Sequence, residues 1–341
     1  MRKVFYLMGV ALALVATACG CNKQGSGIPE VWPWDDPDAD DAPWEEITDG
    51  RYGTLPAYVK IYHSPAKLKG AKAEAYIATV DLTQASWHVW GLRDPELDGS
   101  EDALKTPTQV YNAEGSPALV MNGGFFYVDS GTNYPASMAV ENGELLSPNI
   151  NYASEDWVTL YYPTKAAFIE HVNGKIEASW TYFSDMEHHY IYQTPAENGY
   201  GSTPQAVPGP SFPSEGALFE AKTAIGAGPV LIKDKQIRNT WRFECLPGDY
   251  DVNCLNPDPR TAIGVTADKK LVLFVCEGRE MTEGVKGYST ENVAKILLEF
   301  GCTDAVNLDG GGSTCLLING IETVQPTDGA QRSVGSCIYI K

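Results

Sequence analysis

The chain has 341 residues and carries 44 acidic and 25 basic side chains, a net charge of −19. A hydrophobic fraction of 43% is enough for a folded core, and the length permits one large domain or two ordinary ones. The excess of negative charge argues against nucleic acid as a partner. It also means that an anionic substrate needs a local cluster of arginines or a bound cation.

Residues 1–21 are predicted to form a lipoprotein-type signal peptide. Arg2 and Lys3 precede an apolar run over 4–15, which is too short for a convincing membrane span. The tetrapeptide ATAC then ends at Cys19 and resembles the box that directs lipidation of its cysteine. We therefore expect an exported protein of the bacterial cell envelope, held on a membrane through a lipid at Cys19. An ordinary cleaved signal is the alternative, and either cleavage leaves a net charge of −21.

Residues 22–48 are predicted to form an acidic, proline-rich linker. The segment contains four prolines, eight acidic residues and almost no periodic apolar pattern, so it buries too little surface to fold alone. Its three tryptophans are unusual for a spacer and suggest docking on the domain. The folded domain is predicted over 49–341.

The domain reads mainly as short strands joined by turns. AYIATVDL alternates, ALVMNGGFF is a buried strand that enters a Gly-Gly turn, and MAVENGELL is a hairpin with Asn-Gly at its tip. TAIGAGPVLIKDKQI and RTAIGVTADKKLVLFVCEGRE each predict a strand, a turn and a second strand. Residues 194–216 are rich in Pro, Gly and Ser and predict a long loop.

One helix is clear in STENVAKILLEFG, residues 289–301. Ser289 or Thr290 caps its start, Gly301 ends it, and a strand, AVNL, follows. Its apolar residues at helical spacing are Val293, Ile296, Leu297 and Phe300. The sequence therefore predicts the α+β class, with strand-rich mixed sheets and a few packed helices in a single large domain.

Six cysteines follow the signal. Cys245 and Cys254 flank LPGDYDVN, and in an exported protein they are predicted to form a disulfide that closes this loop. The other four lie in or beside apolar segments, where free buried thiols are equally expected. No C-x-x-C pattern is present, so a structural zinc site is not predicted.

Four segments place polar groups where a strand meets a glycine. These segments are MNGGFF at 121–126, DPRTAIG at 258–264, CEGRE at 276–280 and NLDGGGS at 307–313. A tight turn explains any one of them alone. Together they share acids, arginines and glycines, and this combination predicts that their ends converge on one cleft.

These segments, with GAGPVLI, LLEFGCTDAVNLDGGGS and QRSV in the same order, resemble the phosphodiester glycosidase family over residues 110–341. The family includes enzymes that remove N-acetylglucosamine from phosphodiesters and many secreted bacterial proteins. Two positions depart from the family pattern. Glu277 stands where Asp is usual, and Gln325 stands where Asn is usual before Pro326. The longer acid at position 277 leaves its role open.

The resemblance implies a site around Asp309, which can serve as base, nucleophile or cation ligand, with Glu277 as a second catalytic acid. Arg260, Arg279 and Arg332 supply the positive charge that grips a phosphate. The glycines after Asp309 offer backbone N–H groups that form a nest for phosphate oxygens. The other predicted substrate- or phosphate-binding residues are Asn122, Gly123, Thr261, Asn307, Gly310, Gly311, Gly312 and Ser313. Of these, Asn122 and Ser313 are expected to hydrogen-bond sugar hydroxyls.

The predicted function is hydrolysis of a sugar-1-phosphodiester at the anomeric carbon, with a phosphorylated glycan as substrate. Phosphate is a good leaving group, so one carboxylate with a second assisting acid is enough. No cofactor is required, although a divalent cation is compatible with Asp309. One alternative is a metal-dependent phosphodiesterase that uses Asp309 and Glu277 to cleave P–O. The other is a surface lipoprotein that binds phosphorylated glycans without turnover.

Overall fold

The computed structural model describes residues 42–185, 188–218, 220–246 and 252–341. The predicted signal peptide 1–21, the lipidation site Cys19 and residues 22–41 of the predicted linker lie outside this part of the chain. Within the described ranges, no helix has the length and apolar character needed to span a membrane.

Three sheets contain most of the strands. In spatial order, the first sheet consists of β1 (Glu45–Glu46), β2 (Val59–His63), β5 (Ala75–Asp81), β20 (Lys270–Cys276), β19 (Arg260–Thr266), β21 (Cys302–Asn307), β17 (Val230–Lys233) and β18 (Gln236–Ile237). The second consists of β11 (Glu144–Ser147), β10 (Ala139–Glu141), β16 (Ala221–Gly226), β12 (Lys165–His171), β13 (Ile176–Asp185), β14 (His188–Tyr192) and β15 (Ala217–Leu218). The third consists of β23 (Ile321–Glu322), β22 (Leu316–Ile318), β7 (Leu119–Asn122), β24 (Ser336–Ile340) and β6 (Trp87–Gly91).

Two small hairpins and three helices complete the described elements. The hairpins are β3 (Lys67–Leu68) with β4 (Ala71–Lys72), and β8 (Phe126–Asp129) with β9 (Thr132–Pro135). The helices are α1 (Pro95–Asp98), α2 (Pro107–Ala113) and α3 (Thr290–Glu299), and a 3₁₀ turn covers Gly311–Ser313.

One hydrophobic core joins the three sheets. Ile61 of the first sheet, Phe168 of the second and Met121 of the third all belong to the same buried cluster. Because apolar faces from all three sheets leave water together, the sheets form one domain. The predicted α+β, strand-rich class is confirmed. The named strand pairs are all antiparallel, where mixed sheets were expected.

The local sequence signals are confirmed where they were strongest. Asn142 and Gly143 both have positive φ at the tip of the β10–β11 hairpin, as a type I′ turn requires. Ser289 caps α3 by accepting the N–H of Asn292, and Gly301 follows the helix with φ 83°. The interval 194–216 contains no strand or helix beyond one isolated bridge, as the predicted loop requires.

Ordered structure begins before the predicted boundary at residue 49. Glu45–Glu46 pairs with β2, and the ring of Trp44 packs edge-on against Phe300 at 5.2 Å between centroids. The end of the predicted linker is thus part of the first sheet. The docking suggested by the tryptophans occurs at Trp44.

The predicted disulfide between Cys245 and Cys254 is not formed, since both thiols are free and buried. The two sulfur atoms have different surroundings. Cys245 lies near Lys165, whereas the Cys254 thiol contacts Thr290 at the start of α3. Burial raises the pKa of Cys245 to about 11 and that of Cys254 to about 12, so both are protonated thiols at neutral pH.

A buried charge cluster joins the second sheet to the strand that leads into Asp309. Lys233 of β17 donates to Glu177 of β13 at 2.5 Å and lies 3.7 Å from Asp304 of β21. Glu177 also accepts from His171 and Lys175. Burial alone would raise the pKa of Glu177, but these hydrogen bonds outweigh it and lower the pKa. Glu177 therefore stays ionised and needs its cations.

Replacement of Lys233 by Met should lower the free energy of unfolding by about 3 to 5 kcal/mol, because two buried carboxylates lose their shared cation. Lys270→Met is the matched control. It removes an exposed ion pair with Asp268, which solvent screens, and should leave the free energy of unfolding nearly unchanged. Guanidinium titration of the three proteins measures both losses, and equal losses would contradict a stabilising role for the buried cluster.

Candidate active site

The four predicted strand ends meet at one cavity of about 670 Å³. Each contributes to the wall, although not always through the expected residues. The lining residues are Phe125, Phe126, Val252, Asp258, Arg260, Arg279, Asn307, Asp309, Gly310, Gly311, Gly312 and Arg332. We call this space the Asp309 cavity.

Antiparallel register explains why these segments meet. β19 lies between β20 and β21, with Arg260 opposite Cys276 and Ala262 opposite Asn307. The start of β19 therefore lies beside the ends of both neighbours. The third sheet also reaches this cavity. Gly123 directly follows β7, and its carbonyl accepts the N–H of Asp309 at 3.0 Å.

Asp309 is the carboxylate at the centre of the cavity. Burial raises its pKa to about 6, and this rise is partly offset by a hydrogen bond from Ser313, the charge of Arg332 and the N–H of Gly310. A carboxylate with this pKa is ionised at neutral pH and still accepts a proton readily. Asp309 therefore suits work as a base or a nucleophile.

The glycines after Asp309 make room for neighbouring groups. Gly311 has φ 56°, and a β-carbon there would lie 2.9 Å from Nη2 of Arg279. A β-carbon on Gly310 would lie 2.5 Å from the carbonyl oxygen of Pro259. The N–H of Gly311 already donates to that oxygen, and the N–H of Gly310 faces Asp309. The predicted nest of free donors is therefore largely used within the protein.

Arg279 lines the cavity while its guanidinium is held from one side. Nε and Nη2 bind the two carboxylate oxygens of Asp258 at 2.8 and 3.1 Å. This fork fixes the plane of the guanidinium. The Nη1 group is not used in the pair, so the structure supports the predicted role of Arg279 toward an anion.

Arg332 approaches the other side of the glycine turn. Its Nε and Nη2 bind Asp328 at 2.8 and 2.7 Å, and Nη1 lies 3.5 Å from the hydroxyl of Ser313. A β-carbon on Gly312 would collide with this guanidinium. The Ser313 hydroxyl thus connects Arg332 to Asp309, which is a different role from the predicted contact with a sugar hydroxyl.

Arg260 is wrongly placed for the phosphate grip that was predicted. Its side chain is buried, with the residue only 2% exposed, and Nε donates to the carbonyl of Tyr288 at 2.8 Å. Its other nitrogens donate to the carbonyls of Val252, Asn253 and Asn256. These bonds satisfy buried carbonyls of the 252–256 loop. Arg260 therefore braces the wall of the cavity.

Asn122 and Thr261 also serve the fold. The Asn122 amide donates to the carbonyl of Asp309 at 2.6 Å and accepts from the Thr261 hydroxyl and the N–H of Cys315. Both side chains are fully buried. The predicted contact of Asn122 with sugar hydroxyls is therefore unsupported, and it instead ties three segments together behind Asp309.

Gly123 has a packing role as well. A β-carbon there would lie 2.5 Å from the hydroxyl of Ser336 in β24. Gly124 is confined similarly, 2.5 Å from the carbonyl of Gly226. The Gly-Gly turn therefore permits close packing of strands rather than approach of a ligand.

Asn307 fits its predicted role in binding. It lines the cavity, and its Nδ2 donates to the carbonyls of Gly228 and Leu308. Its Oδ1 is buried and has no hydrogen-bond partner within the described ranges. A buried acceptor without a partner costs free energy, so a donor from a ligand would stabilise it.

Glu277 does not line the Asp309 cavity. The residue is 3% exposed, its Oε1 accepts the backbone N–H of Gln325 at 2.8 Å, and its Oε2 is buried without a partner in the described structure. The cavity wall therefore contains Asp309 without Glu277, and the catalytic pair stays a prediction. Glu277 instead holds the segment that leads to Asp328 and Arg332.

Sequence reasoning missed several functional neighbours. Phe125 and Phe126 form an aromatic wall, and they end the MNGGFF segment that was already singled out. Asp258 opens DPRTAIG and pairs with Arg279. Asp328 precedes Arg332 by four residues, a spacing that marks paired charges on a turn.

No metal centre is visible in the donor groups of the described residues. Within the described residues, no three His, Cys, Asp or Glu side chains lie together in a way that could hold a metal ion. Asp258 and Asp328 are already engaged by arginines.

Comparison with known proteins places this geometry in context. The sequence profile of the phosphodiester glycosidase family matches residues 116–341. YomE, a prophage-derived protein of Bacillus subtilis, is 31% identical over 125 residues, which are 35% of this chain and 17% of that protein. Human N-acetylglucosamine-1-phosphodiester alpha-N-acetylglucosaminidase is 36% identical over 78 residues, which are 23% of this chain and 15% of that protein. The matches thus span about a sixth of the length of these curated relatives.

Solved structures share the fold. The zebrafish N-acetylglucosamine-1-phosphodiester alpha-N-acetylglucosaminidase catalytic domain, auto-inhibited by its pro-peptide, superposes with a TM-score of 0.57 at 19% identity and covers 88% of each chain. A hypothetical protein from Synechocystis gives 0.55 at 16% identity, over 89% of this chain and 64% of the other. The profile match covers most of the chain and includes every segment that lines the Asp309 cavity, and on that basis the chain belongs to the phosphodiester glycosidase family.

Proposed function

We propose that the protein hydrolyses sugar-1-phosphodiesters at the anomeric carbon and releases the sugar from a phosphorylated glycan. The arrangement that carries this proposal is Asp309, with its pKa raised to about 6, in a cavity that two arginines and an aromatic wall also line. N-acetylglucosamine is the proposed sugar, because the family relatives named above act on its phosphodiester.

Arg279 and Arg332 supply the charge for the phosphodiester. Each guanidinium is oriented by an aspartate, Asp258 or Asp328, so little side-chain entropy is lost when an anion binds. The phosphate is therefore expected next to the glycine turn.

Phe125, Phe126 and Asn307 suit the sugar. Aromatic faces are electron-rich and attract the C–H groups of a pyranose ring. The unpartnered Oδ1 of Asn307 accepts a hydrogen bond from a hydroxyl or amide of the sugar. The sugar ring thus lies over Asp309 while its phosphate reaches the arginines.

The reaction needs one ionised carboxylate. Asp309 takes a proton from water, or attacks first and is released by water, and the water oxygen ends on the anomeric carbon. The bond between that carbon and the phosphate oxygen breaks, and the phosphate monoester leaves with the electron pair. The arginines stabilise its charge, so the absence of Glu277 from the cavity wall does not prevent this route.

The two alternative functions have less support. The metal phosphodiesterase required Asp309 and Glu277 to share a cation, whereas Glu277 binds the N–H of Gln325. The experiments below distinguish the hydrolase from a protein that binds phosphorylated glycans without turnover. Export and lipid anchoring at Cys19 stay predictions.

The first test is which bond breaks. In oxygen-18 water, hydrolysis of an N-acetylglucosamine 1-phosphate methyl diester should label the sugar and leave methyl phosphate unlabelled. Asp309→Asn, which keeps the size but loses the base and nucleophile, should lower kcat at least about 1,000-fold. Label on the phosphate would instead favour P–O cleavage, and undiminished binding of the diester without turnover would favour the binding module.

The second test is the pH profile. Asp309 is protonated below its pKa of about 6, so kcat/KM should fall about tenfold per pH unit below pH 6 and level off above it. Arg332→Gln removes a charge that lowers this pKa, so the acidic limb should move to higher pH. If the acidic limb does not move in Arg332→Gln, the group that titrates is not Asp309.

The third test separates the two kinds of arginine. Arg279→Lys loses the planar fork and should raise KM about 10- to 100-fold with little change in the melting temperature. Arg260→Lys leaves buried carbonyls unpaired and should destabilise the fold by about 2 to 4 kcal/mol. Kinetics and thermal unfolding of both variants check the assignment, which fails if the two phenotypes are exchanged.

A further inference from the structure

Two smaller cavities adjoin the Asp309 cavity through shared lining residues. One has a volume of about 270 Å³ and shares Phe125 with the Asp309 cavity. The other, of about 190 Å³, shares Asn149, Ile150 and Tyr152 with the first. Shared walls therefore place the three spaces next to one another, and we describe the two smaller ones together as a depression beside the Asp309 cavity.

Aromatic rings line this depression along its length. We call them the aromatic track. Phe125, Tyr152, Trp157 and Tyr200 line the larger of the two cavities, and Tyr127, Tyr134, Tyr152 and Phe183 line the smaller. Trp157 is 85% exposed and Tyr152 is 50% exposed. Tyr127 and Tyr134 stack at 5.1 Å between centroids. Exposed rings grouped along a groove are typical of a binding surface.

The loop that carries Trp157 is built to present it. The carboxylate of Asp156 accepts the N–H groups of Val158 and Thr159 at 2.8 and 2.7 Å, and also the Thr159 hydroxyl. Trp157 has φ 59°, a conformation that costs free energy for a non-glycine residue. The backbone thus holds the ring outward in a fixed turn, which spares ordering entropy when a ligand binds.

The charges along the track exclude a phosphate there. Among the described residues, Lys165 is the only cation in the walls of the two smaller cavities, and its ammonium group donates to the carbonyl of Glu244. Asp94 and Glu96 add negative charge at the far end. The anionic part of the substrate therefore belongs near Arg279 and Arg332, and an uncharged group suits the track.

We infer that the aromatic track binds consecutive neutral sugar residues of the glycan that carries the phosphodiester. This inference rests on the proposed function in making those sugars part of the substrate. It assigns the protein to extended glycans rather than to small sugar phosphates. Pyranose rings stack on the aromatic faces. Phe125 lines two of the cavities and so connects the bound glycan to the catalytic end of the site.

Binding of neutral hexasaccharides tests the inference without any bond cleavage. The purified full-length protein is titrated calorimetrically with maltohexaose, cellohexaose, chitohexaose, laminarihexaose and mannohexaose. At least one should bind, and Trp157→Ala and Tyr152→Ala should each weaken that binding about tenfold through lost stacking. Val158→Ala is the control, because Val158 is 83% exposed on the same loop and lines none of these cavities.

The outcomes separate this inference from the proposed function. Absence of binding to every hexasaccharide, or equal affinity in Trp157→Ala and the wild type, overturns the track. Equal weakening by Val158→Ala would trace the effect to the loop rather than to the ring. Hexasaccharide binding without hydrolysis of the methyl diester would retain the track and reject the hydrolase. Hydrolysis of the methyl diester without hexasaccharide binding would retain the hydrolase and reject the track.

Discussion

The close approach of two guanidinium groups to a backbone without side chains determines the rest of the site. Asp309 is desolvated, and a hydrogen bond from Ser313, the charge of Arg332 and the N–H of Gly310 favour its ionised form. The guanidinium groups of Arg279 and Arg332 approach the backbone of the turn closely because Gly311 and Gly312 have no β-carbon to collide with them. In a chain of net charge −19, this arrangement brings two guanidinium groups to one cavity, where Asp258 and Asp328 hold them in place.

The sequence predicted where the site lies because its signals are local. Alternating apolar residues, Asn-Gly at a hairpin tip and the capped helix α3 each depend on a few neighbouring residues. Four strand ends carrying glycines and charges then met at one cavity, since antiparallel register aligns the ends of adjacent strands. The family resemblance supplied Asp309 as the central acid.

The roles of single residues were harder to predict, because one side chain serves a ligand or the backbone equally well. Arg260 and Asn122 carry the right groups for a substrate, yet buried carbonyls and N–H groups occupy them. Glu277 follows the same strand end as Arg279 but faces Gln325. The thiols of Cys245 and Cys254 are near in sequence and have different surroundings. Such choices depend on contacts between distant segments, which spacing does not encode.

Asn122 lies at the end of β7 in the third sheet, while Thr261 and the segment that leads into Asp309 belong to the first. The glycine turn is therefore fastened only after both sheets have formed and docked. Every one of these bonds joins residues more than a hundred positions apart, so a fragment that lacks Asn122 cannot complete the site. The site is therefore lost as a unit: local unfolding that separates the third sheet from the first would displace Asp309 while the strand pairs within each sheet remain.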